Sequence, residues 1–530
     1  MKNKLFILLL LFGFYSNTYA TRYYVNSTAT GNGSGLTWNN AFTDLQTALS
    51  VVIFGDDVWV ASGQYKTTTS TDRTVSFVLK DGVNIYGSFA GTETKLTERN
   101  IVSNPTTLNG DIGQTGEVND NTYNIIRGNN ITSNIILDGF RISNGNSSDA
   151  SYRGGAISYS NSLSGNLFVN NCYFYSNRAA TYGGAIYIRQ SKMTIEDCEF
   201  RNNQTTSGGD GGAIYTLNDG NYSSLTIKKT KFIGNTSRIG ACLANTSPYQ
   251  NLIIDQCEFT NNTSQVNIIS LDTFYKATIV NSYFIGNTVN DFTANLLYVN
   301  HYANDTTEDF EMVNCTIVNN YNIYTNTIQS EIIKLDKPYY KVRNCIIYRN
   351  TPYLGRQLTL GHTVANCLIE NGYLGGTAIM NSNPLFVNPN PTLNLNFDAN
   401  TFDYNLASNS PCINVGNNSF VNALYNLDLN NTNRIQGTTV DLGCYESNSA
   451  LSTNDINNEI ESLFYFDYLN NTLNFGTINK FYNKTLRIYD VSGRIVNSYL
   501  IDNSKMNLKL LSGIYFVKIE NYKAIKIFVK

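Results

Sequence analysis

The chain reads as an all-β solenoid, a parallel β-helix, on three observations. A short motif recurs, as Asn171-Cys172-Tyr173-Phe174-Tyr175-Ser176-Asn177, Asp197-Cys198-Glu199-Phe200-Arg201-Asn202-Asn203 and Gln256-Cys257-Glu258-Phe259-Thr260-Asn261-Asn262. Variants of the same grammar centre on Thr230, Phe232 and Asn235, on Ser282, Phe284 and Asn287, on Cys315, Ile317 and Asn320, and on Cys345, Ile347 and Asn350, with Cys367 and Ile369 as a weaker last copy. A second motif alternates with the first: Gly154-Gly155-Ala156-Ile157, Gly183-Gly184-Ala185-Ile186-Tyr187, Gly211-Gly212-Ala213-Ile214-Tyr215, and a degenerate Ile239-Gly240-Ala241-Cys242-Leu243. Third, each copy alternates buried-type with variable residues at period two, and helical spacing is absent.

Each element follows from that unit. Copies of 22 to 33 residues cannot bury a core alone, whereas stacked copies can. Stacking at about 4.8 Å per coil makes the roughly nine coils between Asn124 and Asn371 a rod on the order of 40 Å long. Equivalent residues then form columns. Cys172, Cys198, Cys257, Cys315, Cys345 and Cys367 stand in one inward column with Thr230 and Ser282, as small buried side chains. The Phe and Ile residues make a second column. Asn177, Asn203, Asn235, Asn262, Asn287, Asn320 and Asn350 make a third at a bend, where Asn tolerates left-handed backbone and bonds along the stack. Six of the nine cysteines are thereby explained without disulfides, and the sequence leaves open whether Cys412 and Cys444 pair.

Composition agrees and excludes much else. The 530 residues carry 37 Lys+Arg against 40 Asp+Glu, a formal net of −3, and only 15% are charged, too balanced for a nucleic-acid binder. Asparagine, at 78 residues, replaces charge as the main polar group. Two histidines, His301 and His362, are few for His-based metal sites, although one would serve as a general base. At the N-terminus, Lys2 and Lys4 precede an apolar run from Leu5 to Phe14, and Thr18 and Ala20 supply small residues ahead of a cut after Ala20. This reads as a secretory signal, since the run is half the roughly twenty residues a membrane span needs. No other stretch is apolar enough to span, so the mature chain is expected to carry no transmembrane segment.

The Gly-Gly-Ala-Ile-Tyr and Phe-x-x-Asn pair resembles the repeats of polymorphic outer-membrane proteins and the wider group of right-handed parallel β-helix proteins. The opening, with Tyr24-Val25-Asn26, Gly35-Leu36-Thr37-Trp38-Asn39-Asn40-Ala41-Phe42, Gly55-Asp56-Asp57-Val58-Trp59-Val60 and Asp81-Gly82-Val83-Asn84-Ile85-Tyr86-Gly87, is similar to theirs. The resemblance implies a capping helix, about Trp38 to Ser50 with Phe42, Leu45 and Leu49 on one face, and Trp38 and Trp59 as packing residues. Asn383-Pro384-Leu385-Phe386-Val387, Ser410-Pro411-Cys412-Ile413-Asn414 and Asp441-Leu442-Gly443-Cys444-Tyr445-Glu446 resemble the choice-of-anchor Q domain. Leu486-Arg487-Ile488-Tyr489-Asp490-Val491-Ser492-Gly493-Arg494, Leu511-Ser512-Gly513-Ile514-Tyr515-Phe516-Val517 and Lys526-Ile527-Phe528-Val529-Lys530 resemble a type A sorting domain of the type IX secretion system of Bacteroidota. Phe464-Tyr465-Phe466-Asp467 stands where that family has Tyr-Pro-Asn-Pro. Short alternating strands around a Gly turn predict a small β-sandwich there. Residues 476–530 hold 8 Lys and 2 Arg against 3 acids, a net of +7, which marks a separate unit.

The expected organisation is therefore a signal over 1–20, cap and first coils over 21–123, β-helix repeats over 124–380, a Q-like closing region over 381–447, a linker over 448–459 and the sorting domain over 460–530. The resemblances imply a secreted, surface-displayed β-helix, an adhesin-like binder of polysaccharide or surface glycans, with the type IX secretion machinery as partner. The alternative is a polysaccharide lyase or glycoside hydrolase on the same scaffold, and Ca²⁺ would enter only there; no other cofactor, no metal and no catalytic residue is assigned. An enzyme would draw on outward positions, which run Tyr173, Glu199, Lys231, Glu258, Tyr283, Thr316, Ile346 and Leu368. Glu199, Lys231 and Glu258 form a charged triplet on successive coils, more readily read as solvated cross-strand pairs. Gly208-Gly209-Asp210-Gly211-Gly212 resembles a Gly/Asp calcium repeat but occurs once and is read as a turn. Tyr152, Tyr159, Tyr173, Tyr175 and Tyr182 are expected on the surface, where Tyr faces stack on sugars.

Overall fold

The computed structural model describes residues 20–206, 208–291, 293–300, 310–323, 331–337, 339–351, 356–391, 398, 401–447, 464–467, 471–475, 481–491, 493–519 and 525–529. The signal segment up to residue 19 and the linker over 448–459 lie outside them. Two compact units divide at residues 447 and 448.

The first unit is a right-handed parallel β-helix. Its coils follow one plan, seen in 183–205. A corner at Gly183-Gly184 leads into a long bent strand, Ile186–Glu196, whose two halves lie in a first and a second parallel sheet; a short strand, Glu199–Arg201, lies in a third, and Gln204–Thr205 in a fourth. Every neighbour in register is the equivalent residue of the adjacent coil, so Phe174 faces Phe200, Phe200 faces Phe232 and Phe232 faces Phe259. Their rings stack with centroids 4.6, 5.0 and 4.9 Å apart, nearly parallel. One continuous apolar core runs from Val25 to Ile369. At the corner, Gly183 has φ +67°, and a Cβ on Gly184 would collide with the carbonyl of Gly212 on the next coil. That is why the motif carries two glycines.

Two bends per coil explain the columns. Residues 171, 197, 229, 256, 281, 314, 344 and 366 have left-handed backbone, as do 176, 202, 234, 261, 286, 319 and 349. The left-handed residue is thus the one before each column position, one place earlier than the sequence reading put it for Asn. Such a bend turns the next N–H inward, where a side chain from the adjacent coil receives it. The Cys172 N–H donates to Cys198 Sγ at 3.4 Å, Cys198 to Thr230 Oγ1 at 3.4 Å and Cys257 to Ser282 Oγ at 3.1 Å. Each of these groups in turn donates to the carbonyl two residues before it, Cys198 Sγ to Glu196 at 3.2 Å and Thr230 Oγ1 to Lys228 at 2.7 Å. The column therefore selects a small side chain with one donor and one acceptor, and Cys, Thr and Ser are the residues that have both.

The asparagine column works the same way at the second bend. Asn203 Oδ1 accepts from the backbone N–H and from Nδ2 of Asn177, at 3.1 and 3.0 Å, while Asn203 Nδ2 donates to the Phe174 carbonyl and to Asn235 Oδ1 at 2.9 and 3.1 Å. The ladder continues through Asn262, Asn287 and Asn320 to Asn350, which donates to Gln357 Oε1 at 3.0 Å.

The N-terminal end is covered by a helix, Leu45–Val51, shorter than the expected Trp38–Ser50. Asp44 caps it by accepting from the Thr47 N–H at 2.8 Å, which sets the start. Leu45, Ala48 and Leu49 face the core. Trp38 precedes the helix, and its indole donates to the Glu93 carbonyl at 2.9 Å; Trp59 stacks on Phe89 at 4.4 Å, so both tryptophans pack.

The closing segment turns back along the side of the β-helix. Its strands Phe386–Asn388 and Asp403–Leu406 pair antiparallel. Phe386, Tyr404, Leu406, Cys412, Leu442 and Cys444 form one cluster with Tyr283, Ile285, Val318, Ile346 and Leu368 of the third sheet. Left-handed bend residues anchor it: Asn344 Oδ1 accepts from the Asn417 N–H at 2.9 Å, and Asn281 Nδ2 donates to the Tyr425 carbonyl at 3.1 Å. Inside the segment, fully buried Arg434 pairs with Glu446 at 2.9 Å and donates to the Gly443 carbonyl at 2.8 Å. The pairing left open for Cys412 and Cys444 is not made here: both are buried free thiols. Each faces its own hydroxyl, Cys412 that of Ser410 and Cys444 that of Thr316.

The second unit is a small β-sandwich. Phe464–Asp467, Thr472–Phe475 and Lys505–Asn507 form one antiparallel sheet; Thr485–Tyr489, Ile495–Leu500, Gly513–Ile519 and Ile525–Val529 form the other. Leu473, Phe481, Leu486, Ile488, Val517 and Ile519 are among the residues that fill its core.

Two outcomes follow for stability. Cys198→Thr keeps donor and acceptor and should unfold within about 1 kcal/mol of the native chain, whereas the isosteric Cys198→Val strands the Cys172 N–H and should cost about 1–3 kcal/mol more in a denaturant titration. Arg434→Met takes the guanidinium donor away from the buried Asp441 and Gly443 carbonyls and should cost about 1–3 kcal/mol, seen as early proteolysis within 381–447. Burial pushes the Glu446 carboxyl up to about 8, against the pull of Arg434. A folded pKa above the unfolded one means that the folded segment holds the proton more tightly. Stability of the segment should therefore fall as pH rises from about 4.5 to about 8, and Glu446→Gln should flatten that slope in hydrogen exchange.

Candidate functional site: grooves on the outer faces of the coils

The predicted triplet does share one face, since Tyr173, Glu199, Lys231, Glu258 and Tyr283 are register neighbours on the third sheet. Its carboxylates are not brought together. Lys231 stands between them and pairs with Glu258 at 3.0 Å, while Glu199 pairs with Arg201 at 2.6 Å. Two coil steps put Glu199 and Glu258 about 10 Å apart. The arrangement is a ladder of surface ion pairs. From Tyr283 on, the same column passes beneath the folded-back segment, and Tyr283, Thr316, Ile346 and Leu368 are buried there. The change from charged to apolar at constant register was the sequence signal for that docking.

Other expected residues fall as follows. Asp210 bridges the Tyr182 and Ile239 strand edges and pairs with Arg238 at 2.8 Å, which makes its glycine-rich segment a turn. His362 is buried, and burial pulls its pKa down; His301 lies outside the described residues. Tyr152, Tyr173, Tyr175 and Tyr182 are half-buried, but Tyr159 is fully buried, contrary to expectation. It points inward opposite Gly128, where any Cβ would meet the Tyr159 ring. Among the described residues no three His, Cys, Asp or Glu side chains are grouped to hold a metal ion.

The groove that sequence reasoning missed lies on the first sheet. Its outward column reads Tyr187, Tyr215, Ala244, Ser270, Tyr298 and Lys334 in register. Tyr187 and Tyr215 stack at 6.0 Å, and Tyr182 lies 4.3 Å from Tyr215. Ala244 and Ser270 then drop away before Tyr298 rises again, so a trough about 14 Å long, three coil steps, opens between two tyrosines. It encloses about 400 Å³, lined also by Asn245, Thr246, Asn295, Asp272 and Lys334. Tyr215 bonds Thr246 Oγ1 at 3.0 Å and burial pushes its phenol up to about 12. Tyr298 donates to Asp336 at 2.9 Å; burial and then that bond raise its pKa, so both phenols stay neutral. Neutral aromatic walls with amides, hydroxyls, the carboxylates of Asp210 and Asp272 and the Lys334 ammonium suit a polyhydroxylated ligand whose ring faces are apolar and whose rim is polar. The signal was present in the degenerate fourth motif, where Ala244 follows Leu243 at the position that Tyr187 and Tyr215 hold after Ile186 and Ile214.

The repeats themselves have a family likeness. The model of the Chlamydia polymorphic membrane protein (Chlamydia_PMP) repeat matches residues 171–189 and 197–217, two stretches covering the motif pair described above. No curated protein matches the chain. Among solved structures, pectate lyase Pel9A superposes with a TM-score of 0.42 at 12% identity, over 81% of this chain and 97% of that one. XylC in complex with xylose gives 0.35 at 9%, over 70% and 88%. The tailspike protein gp49 of Acinetobacter baumannii bacteriophage Fri1, a capsular polysaccharide depolymerase, gives 0.31 at 10%, over 96% and 79%. At these scores the superpositions add nothing to the fold already seen in the strand pairings. The chain is a β-helix repeat protein whose coils include repeats similar to those of the Chlamydia membrane proteins.

Proposed function

We propose that this chain is a secreted, surface-displayed β-helix that binds glycans, and that the trough between Tyr215 and Tyr298 is its glycan groove. The carrying observation is the interruption of a tyrosine column by Ala244 and Ser270, which opens a slot of saccharide length on an otherwise continuous face. Stacking on tyrosine gives affinity for sugar ring faces at low entropic cost. The likeness of the repeats to those of a membrane protein family supports display at a cell surface. A binding role also suits an outer face whose charges Glu199, Lys231 and Glu258 are occupied in ion pairs.

Export is assigned to the type IX route, with residues 460–530 as the sorting domain and 381–447 as a choice-of-anchor Q-like region. Three features support this: the signal-like residues 1–20, the division into units at residue 448, and a basic β-sandwich with a net charge of +7 over 476–530. The sandwich also leaves Val496, Leu500, Ile514 and Phe516 substantially exposed, apolar surface that a recognised signal would present.

Two measurements test the reading. On a glycan array, Tyr298→Ala should weaken binding about tenfold, the worth of one stacked ring. Ala244→Tyr, which restores the repeat's own residue and so should fold, should abolish binding by filling the trough. Unchanged binding by both variants would remove the groove assignment. Mass spectrometry of the protein recovered from the native cell surface and medium should find Thr21 as the first residue and loss of residues beyond about 450; a mature chain still reaching Lys530 would refute the sorting role.

A further inference from the structure

The rings that the first sheet lacks at Ala244 and Ser270 stand on the same two coils five residues later, as Tyr249 and Tyr275, at the corner where the first sheet turns into the second. Tyr222 holds the equivalent corner of the Tyr215 coil. Each of the three immediately precedes a strand of the second sheet, Ser223–Lys228, Gln250–Asp255 and Lys276–Val280. The corner backbone is bonded from coil to coil: the Ser223 N–H donates to the Tyr249 carbonyl at 3.0 Å, and the Tyr275 N–H to the Gln250 carbonyl at 2.9 Å. The rings are thus mounted on the stacked coils. Tyr222 meets Tyr249 and Tyr275 edge to face, with centroids 5.7 and 5.0 Å apart. Even so, Tyr222, Tyr249 and Tyr275 remain 60%, 41% and 50% exposed. The corresponding corners of the two preceding coils, residues 160–165 and 189–191, carry no aromatic side chain.

This ridge adjoins the trough. Thr246 and Asp272 line the trough and lie three residues before Tyr249 and Tyr275, at most about 10 Å of extended chain. Along the solenoid axis Tyr215 closes the trough at one end, and Tyr298 followed by Lys334 closes it at the other. A ligand longer than the trough therefore leaves it along the strands, and on the Thr246 side it meets the ridge. Beyond the ridge a second groove, of about 310 Å³, opens between Asn251 and Lys276 on the coils and Phe420 and Leu424 of the folded-back segment.

We propose that Tyr222, Tyr249 and Tyr275 are an outlying aromatic subsite of the glycan groove, so that the ligand is an extended polysaccharide crossing the coils along the strands, not a terminal sugar. The proposal rests on the reading of the trough as a glycan groove and adds the length and direction of the chain it holds. Exposed Asn221 and Asn251 flank the rings and supply amide donors and acceptors. Ring faces framed by amides match sugar faces framed by hydroxyls. Rings already held by their neighbours lose little freedom on binding, and an exposed aromatic patch beside a groove extends its contact surface.

The test is calorimetric titration of the full-length chain with the disaccharides and hexasaccharides of β-1,4-glucan, β-1,4-xylan, β-1,4-mannan and polygalacturonate, for the native protein, Tyr249→Ala, Tyr275→Ala, Tyr249→Phe and Tyr298→Ala. A hexasaccharide bound more tightly than its disaccharide, with that gain cut about tenfold by either ridge alanine and kept by Tyr249→Phe, supports the proposal. Tyr298→Ala should weaken both lengths. A hexasaccharide bound no more tightly than its disaccharide overturns this inference alone, as do ridge variants that bind like the native chain or that lose both lengths equally. No saccharide bound at either length by the native chain overturns the glycan reading with it. Circular dichroism melts of the alanine variants, expected within a degree or two of native because the side chains are exposed, make lost affinity a lost contact.

Discussion

The constraint on which this structure turns is the fate of two backbone N–H groups in each repeat coil from Asn171 onward. A polypeptide that winds around a narrow core must turn sharply, and each left-handed bend here points the following N–H into the interior, away from the carbonyls of the adjacent coil. An unsatisfied buried donor costs about 1–3 kcal/mol, and the repeat would accumulate that cost twice per turn. The two ladders remove it. At one bend a thiol or hydroxyl accepts the N–H from the neighbouring coil and returns its own hydrogen to a carbonyl two residues back. At the other an asparagine accepts twice and donates twice. Everything outside follows from the regularity these ladders impose: three main sheets in register, stacked phenylalanines, and outward columns whose residues vary freely.

That freedom is where function is written. Outward side chains do not hold the coils together, so one face alternates Glu199, Lys231 and Glu258, another carries tyrosines, and a third is apolar from Tyr283 to Leu368 because residues 381–447 lie on it. The folded-back segment contributes no coil. It is held by its own buried Arg434–Glu446 pair and by amides of the bend residues Asn281 and Asn344, which point outward because their backbone is left-handed. By docking, it covers one face and turns the neighbouring one into a groove.

Both grooves arise from local departures from the repeat. Where the tyrosine column loses its rings at Ala244 and Ser270, the first sheet acquires a trough; where the folded-back segment overhangs the second sheet, Phe420 and Leu424 wall a second groove opposite Lys276 and Glu311. On the flat outer faces, concavity comes from missing side chains or added segments, and both devices occur among the described residues.

The repeat, its strands and the identity of the columns were legible in the sequence, because a core stacked at one residue per layer repeats the same requirement at fixed register. The substitution of Thr230 and Ser282 for cysteine even contained the reason for the column, the shared donor and acceptor, although the residues read first as small and buried. The placement of the left-handed bends one residue earlier was not legible, since Ser176, Lys229 and Arg349 carry no preference for that backbone and adopt it only because the ladder after them over-determines it. Nor was the inward turn of Tyr159, which depends on Gly128 a coil away. The grooves were decided by tertiary structure for the same reason. Period and polarity report which way a residue faces within its own coil, while a cavity is set by what stands beside and above it, and those neighbours lie as far apart as the 29 residues from Tyr215 to Ala244 or the 172 from Gln256 to Asp428.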